Sequence, residues 1–565
     1  MKWLFCFVLV SSCSLPQQII RASNGLPDYT SSAGSWHDVD VVMRDGVKLK
    51  THVLMRNPYP REILFTLSCG VFASYGIGCV VQDVRGQRES EGEWYPLVNE
   101  VEDGEDTLAW LDAQPFADSI ALYGQSYLAA TALAASTNLP AKVKTMVLAV
   151  FGTNLRPVIS ERGLFPHELM TAWASYMPSR ERPADAQKSF ELALAFRPHL
   201  ECDESAFGGK RAWYREWLDS ALPSAPIWLS PINQKFNAVP ARIQVPVLYI
   251  EGFDDPFLPA GLDTFARLGS REHSHLALLP TTHIGTQPGD VQMPKAEGQY
   301  LWKMPVPWLL HFLKGVPLPF PETGVTSWAR GELEPVHRES WPPPSKDELL
   351  VLQPQQTEAS PCAQRQLGGE AGTPSLLSYR YNPLHPWASE GGARGLGLKL
   401  LVAGTLTPGP LRQTWDCSRG DVVRFVTPVL TTPMRIAGTM RLELSARSTA
   451  KDTAFYGKLV DIDAQGNAVH LTDGAATLRL PTSRDEQWVP YAPNTVRKLE
   501  IDFFPTEWVL QPGHRLGLWV SSSNYPALSA HLNTEEPWFR SKTPLLAEQT
   551  LELGGPSVLR LHVVR

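Results

Sequence analysis

A serine becomes a nucleophile where a base can take its proton and a third group orients that base. In this chain Ser126 stands in Gly124-Gln125-Ser126-Tyr127-Leu128-Ala129. An apolar run, Ser119 to Tyr123, precedes it, and an alanine-rich stretch, Tyr127 to Ser136, follows. A serine on a sharp strand-to-helix turn is a nucleophile elbow, and crowding there demands small neighbours. Gly124 meets the demand; Ala129 sits three positions on, and Leu128 fills the slot of the second glycine in Gly-x-Ser-x-Gly. The helix start behind Ser126 would also offer a backbone N–H to a developing oxyanion. Taken alone, the same residues describe equally well a glycine turn with an incidental serine.

The partners of such a serine follow it in the order acid, then histidine, on α/β-hydrolase sheets. The run Val245 to Glu251 ends in Gly252-Phe253-Asp254-Asp255-Pro256-Phe257, and the run His275 to Leu279 ends in Pro280-Thr281-Thr282-His283. Both stand at the carboxyl ends of predicted strands, where open α/β sheets place their sites. Either Asp254 or Asp255 can serve as the acid; the other is a turn or cap residue. His283 is the base, whereas His273 and His275 precede or begin their strand.

These residues need a scaffold. Strand runs at Cys79 to Val84, Ser119 to Tyr123 and Thr145 to Val150 alternate with helical stretches at Val101 to Ala113 and Tyr127 to Ser136, which predicts a parallel sheet with helices on its faces. The catalytic domain is expected over 36–156 and 238–325. Between its halves, 157–237 reads as a helical cap, with helices at Glu168 to Tyr176, Pro183 to Phe196 and Ala212 to Leu222. Tyr300 to Lys314 would close the domain as a helix that Pro305 and Pro307 must kink or interrupt. A linker with an irregular segment is expected over 326–372, and an all-β jelly roll over 373–565, where short strands recur with few helices between them.

At 565 residues the chain has room for several domains, and 43% hydrophobic against 19% charged residues is a globular composition. A net charge of −7 with no basic run argues against nucleic acid as the main partner. No run of about 18 apolar residues exists to span a membrane. The histidines lack HExxH spacing and the cysteines lack a CxxC pair, so no structural zinc site is expected, and a serine-histidine-acid hydrolysis calls for no metal or cofactor. Met1-Lys2, the apolar run Trp3 to Val10 and the small residues after it have the shape of a signal peptide over 1–22. The protein is therefore expected to be exported, as a periplasmic, secreted or lipid-anchored protein, the anchor being Cys13 of Val10-Ser11-Ser12-Cys13, which resembles a lipobox. Five cysteines remain after it, Cys69, Cys79, Cys202, Cys362 and Cys417, so at least one thiol stays free and no disulfide framework is implied.

The sequence resembles the cocaine-esterase-like serine hydrolases, a group that includes X-Pro dipeptidyl-peptidases, α-amino acid ester hydrolases and glutaryl-cephalosporin acylases. The likeness rests on Arg56-Asn57-Pro58-Tyr59, on Val81-Gln82-Asp83-Val84-Arg85-Gly86 with Ser90-Glu91-Gly92-Glu93, on Gly124-x-Ser126-Tyr127, and on Gly252-Phe253-Asp254-Asp255-x-Phe257. Further on it rests on Phe425-x-Thr427-Pro428, Lys458-Leu459-Val460-Asp461 and Pro512-Gly513-His514-Arg515. The resemblance implies Ser126 as nucleophile, His283 as base and Asp255, two residues before Phe257, as orienter. It also implies an oxyanion hole made of the Tyr59 phenol and the Tyr127 backbone N–H, with Trp173 and Phe257 at the substrate pocket. The family has two strands before Arg-Asn-Pro-Tyr, whereas Val47 to Met55 leaves room for about one.

The expected activity is hydrolysis of acyl esters or amides through an acyl-enzyme. The alternatives are an X-Pro dipeptidyl-peptidase, with Glu161, Glu168, Asp203 or Glu204 anchoring a free amino terminus, and a catalytically impaired binding protein that works through its jelly roll.

Overall fold

Four strands of the first domain are apolar through most of their length: β5 (Ser119–Gln125), β6 (Val143–Ala149), β7 (Val247–Asp254) and β8 (His275–Thr282). Every residue of β7 and β8 is buried, which requires cover on both faces and so favours parallel pairing. The computed structural model describes residues 21, 25–27, 35–55, 62–65, 69–177, 186–287, 289, 291, 293, 296, 298–357, 363–396 and 406–564. Residues 1–20 and 22 of the expected signal segment, Cys13 among them, and Tyr59 and Cys362 lie outside these residues.

Adding β1 (Ser35–Val42), β2 (Lys48–Met55), β3 (Glu62–Phe65), β4 (Gly78–Gln82), β9 (Gly324–Ser327) and β10 (Val336–Arg338) completes a mixed sheet of order β1-β2-β4-β3-β5-β6-β7-β8-β9-β10. From β4 through β9 all neighbours are parallel. Helices α1 (Cys69–Ser74), α2 (Glu100–Asp112) and α3 (Tyr127–Ala134) connect the early strands. Between β6 and β7 the insertion runs through α4 (Arg156–Ile159), α5 (His167–Tyr176), α6 (Ala186–Ala195), α7 (Cys202–Ala206), α8 (Ala212–Leu218), α9 (Pro226–Leu229) and α10 (Pro231–Asn237). Then α11 (Leu258–Ala266) joins β7 to β8, and α12 (Pro305–Lys314) follows. Leu108, Leu133 and Phe265 on α2, α3 and α11 cover one sheet face over Ile120, Leu122 and Tyr249. Phe72 and Trp308 on α1 and α12 cover the other, over Leu248 and Ile250.

The structure corrects three expectations. Two strands, not one, precede residue 56: β1 and β2 form a hairpin whose turn closes with Met43 N–H donating to Val47 O at 2.8 Å and with Gly46 at φ 87°. Most of β1 is exposed at the sheet edge, so its composition is too polar to announce a strand. The expected linker contains a twelve-residue strand, Ser345–Gln356. Its apolar centre, Leu350-Val351-Leu352, is buried, but polar ends disguise it. The closing helix is interrupted ahead of its prolines, as expected: a π-helical turn, Gln299–Lys303, ends before an α-helix that begins at Pro305, and both prolines fall in its first turn. Finally, Cys69 and Cys79 form a disulfide and Cys417 is disulfide-bonded as well, while Cys202 is a buried free thiol.

The C-terminal domain is all β, and Ser345–Gln356 joins its layers. Residues 345–351 pair with Val558–Val564 in one sheet, and Leu352 and Gln356 pair with Arg365–Leu367 in the other. Phe425, Leu442, Phe455, Trp508, Leu518 and Leu559 fill the core between them. Buried charges tie this domain to the first. Arg394 pairs with Glu161 of the insertion and with Asp473, and Arg330, between β9 and β10, pairs with Asp254 at 2.6 Å and donates to Thr506 Oγ1 at 3.1 Å.

Candidate active site

The elbow is built by steric exclusion. Strand β5 ends at Gln125, Ser126 takes φ 55°, ψ −131°, and α3 begins at Tyr127. A Cβ on Gly124 would stand 2.2 Å from Leu128 O and 2.5 Å from Ala129 N, so only glycine fits. Ala129 is fully buried, and its N–H donates to Ser126 O at 2.8 Å; a methyl group is accommodated where the motif has its last small residue. Ser126 N–H donates to Ala149 O at 3.0 Å and fixes the turn to β6.

The carboxyl ends of β7 and β8 bring the other two residues to it. A register shift lets Gly252 pair with Leu279 but Asp254 with Thr282. Asp255 follows in the turn to α11, and His283 follows β8. His283 Nε2 lies 2.8 Å from Ser126 Oγ, and His283 Nδ1 lies 2.6 Å from Asp255 Oδ2. A carboxylate only accepts, so Nδ1 carries the proton and Nε2 is free to accept from the serine hydroxyl. Asp255 Oδ1 also accepts the Phe257 N–H at 2.7 Å, and the Tyr300 hydroxyl donates to His283 O at 3.2 Å. Asp255 is fully buried, while Ser126 is half-buried. Asp254 points elsewhere, to the buried Arg330. Of the two adjacent aspartates, geometry therefore puts Asp255 on the histidine.

Tyr127 opens α3, so its N–H has no intrahelical acceptor. Its hydroxyl donates to Glu100, and its ring packs at 6.2 Å from both Trp94 and Trp173. Trp173 stacks on Trp217 at 5.3 Å and meets Trp213 edge-on at 5.1 Å. Sequence reasoning picked out Trp173 but missed Trp94, Trp213 and Trp217; the i, i+4 spacing of the last two on α8 was the available signal. Phe257 stacks on Phe151 at 4.9 Å and lies 5.4 Å from the His283 ring. Beneath the site Glu251 is fully buried with neither carboxyl oxygen hydrogen-bonded. Burial, and then the charge of Asp255, hold its pKa well above the ordinary carboxylate range.

The four cap carboxylates considered as amino-terminus anchors are engaged elsewhere. Glu161 accepts from Arg394 and from the Ala475 N–H, and Glu168 accepts from the Leu406 N–H. Asp203 and Glu204 both hold Arg215.

Comparison with known proteins agrees with this architecture. Residues 34–285 match the family described as X-Pro dipeptidyl-peptidase (S15 family), and residues 321–559 match the X-Pro dipeptidyl-peptidase C-terminal non-catalytic domain. The cocaine esterase of Rhodococcus sp. (strain MB1 Bresler) is 26% identical, over 93% of this chain and 96% of its own. Among solved structures, an α-amino acid ester hydrolase superposes with a TM-score of 0.78 at 19% identity, covering 95% of this chain and 98% of the other. An aminopeptidase from a marine sediment Thaumarchaeota archaeon superposes with a TM-score of 0.77 at 20% identity, with the same coverage. The chain belongs to the cocaine-esterase-like and X-Pro dipeptidyl-peptidase family of serine hydrolases.

Proposed function

We propose that this serine hydrolase cleaves acyl esters or amides at Ser126. His283 takes the serine proton as Oγ attacks the acyl carbon, and Asp255 holds the imidazole in the accepting tautomer and stabilises the imidazolium. The Tyr127 N–H and the Tyr59 phenol stabilise the oxyanion. His283 then protonates the leaving alcohol or amine. Water, deprotonated by His283, attacks the acyl-enzyme and releases the acid. The observation that carries the reading is the unbroken line of hydrogen bonds from Asp255 through His283 to Ser126.

Trp173 and Phe257 are read as walls of the substrate pocket, which their packing around Tyr127 and His283 supports. Prior engagement of Glu161, Glu168, Asp203 and Glu204 favours the acyl-ester reading over an X-Pro dipeptidyl-peptidase. The β1/β2 hairpin removes the motive for an impaired binding protein. We further read the C-terminal domain as a jelly roll, supported by its two sheets joined through one strand. The Cys69–Cys79 disulfide supports export into an oxidising compartment, with or without a lipid on Cys13.

A hydrolysis screen of aryl esters beside an X-Pro-anilide tests the assignment, with Ser126→Ala as the control. The wild type should cleave esters, and the variant should lose roughly 10³–10⁶ in kcat while staying folded. A purified Ser126→Ala protein that keeps most of its activity refutes the mechanism.

A further inference from the structure

Ser126 occupies the N-cap position of α3, where a serine usually turns its hydroxyl onto the first amides of its own helix. Here it makes no such bond, because its Oγ is on His283 Nε2. An eight-residue helix thus begins uncapped at Tyr127, the residue whose N–H must point at the oxyanion. Loss of the cap leaves that amide free to fray unless something else restrains it.

The restraint comes through the Tyr127 side chain. Its hydroxyl donates to Glu100 and accepts from the Leu97 N–H at 3.2 Å. Leu97 adopts the left-handed region, φ 62°, an uncommon conformation for leucine that turns its amide onto the phenol. Glu100 is the first residue of α2 and is 7% exposed. Its second oxygen accepts the Asn99 N–H at 3.1 Å. Among the described residues no cation pairs with it, so the phenol is its principal side-chain partner. Burial raises the pKa of both members, the phenol well above its ordinary range.

We infer that Glu100 is a positioning residue for the hydrolysis: through the Tyr127 phenol it fixes the uncapped first turn of α3 and with it the direction of the Tyr127 N–H. This rests on the assignment of Ser126 as nucleophile and of that N–H as an oxyanion donor. Glu100 touches neither substrate nor the reacting atoms; it acts on an amide that contributes mainly in the transition state. Its loss must therefore appear in kcat before KM.

The test is a double-mutant cycle on the full chain with an aryl ester, beside Ser126→Ala and thermal unfolding of every variant. Tyr127→Phe, which removes one oxygen, should lower kcat roughly tenfold, well short of the ~10²-fold cost of a group misplaced by a full ångström, with KM nearly unchanged. Glu100→Ala should do the same, and Glu100→Gln, which still offers the phenol an acceptor, should recover part of the loss. The double variant Tyr127→Phe/Glu100→Ala should be no slower than the slower single variant, because both act through one bond. Independent, multiplying losses, or a raised KM at unchanged kcat, overturn the inference while leaving the nucleophile assignment standing. An active Ser126→Ala overturns both. If Glu100→Ala does not fold, Tyr127→Phe decides alone: a wild-type kcat refutes the positioning role.

Discussion

Two adjacent aspartates with opposite duties allow a sharp experiment. Replacing Asp255 by asparagine leaves Oδ1 where it accepts the Phe257 N–H at 2.7 Å, so the new amide NH₂ must occupy the place of Oδ2. That donor then stands 2.6 Å from His283 Nδ1. Nδ1 is obliged to accept, the ring proton moves to Nε2, and Nε2 faces Ser126 Oγ at 2.8 Å as a donor. The base is present in the wrong tautomer. Such a change costs about 10⁴ in kcat, or about 5 kcal/mol of barrier, with the protein still folded. Asp254→Asn takes the opposite course. It leaves the guanidinium of Arg330, 1% exposed, without the carboxylate 2.6 Å away. Breaking a buried pair costs about 3–5 kcal/mol of stability, yet nothing on His283 changes. Steady-state hydrolysis of an aryl ester, read beside thermal unfolding, separates the two. If Asp254→Asn loses the rate and Asp255→Asn keeps it within tenfold, the assignment of the acid is wrong.

Two further outcomes are expected. Tyr59→Phe should lower kcat by roughly 10²–10³ with KM nearly unchanged, the cost of one oxyanion donor, and a silent substitution would remove Tyr59 from the oxyanion hole. Glu251, whose pKa burial raises in the folded state, holds a proton that the unfolded chain has lost above about pH 4.3, so it takes stability away as pH rises through that window. Glu251→Gln should therefore gain in melting temperature over wild type as pH goes from 5 to 8 in calorimetry; a gap that is constant or shrinks contradicts a protonated Glu251.

Much of the site was legible because it sits on parallel strands. The runs ending in Asp254-Asp255 and before His283 are apolar on both faces, and their carboxyl ends are where side chains converge. The elbow was legible for a steric reason, since Gly124 leaves no room for a Cβ. Residues between strands gave no such signal. Trp94 and Glu100 reach Tyr127 from the segment after β4, and only tertiary packing reveals that. The pairing of Asp254 with Arg330 joins residues far apart in sequence, so the bare pattern left both aspartates open. The hairpin strand β1 and the strand 345–356 were obscured by their surroundings: one is an exposed edge, and the other carries a short apolar centre between polar ends.

Arg394 sets a limit on how this architecture can be taken apart. It lies in the C-terminal half of the chain, is 3% exposed, and is shared between Asp473 of its own domain and Glu161 of the insertion. Glu161 in turn accepts the N–H of Ala475. Glu161 therefore takes its countercharge from the other half of the gene. Recombination that exchanged the C-terminal domain would take Arg394 away from Glu161, and recombination that exchanged the insertion would leave Arg394 with Asp473 alone. The insertion and the β domain are thus coupled through one buried charge. Exchanging either module whole breaks that coupling, whereas replacing side chains that line the pocket leaves it intact.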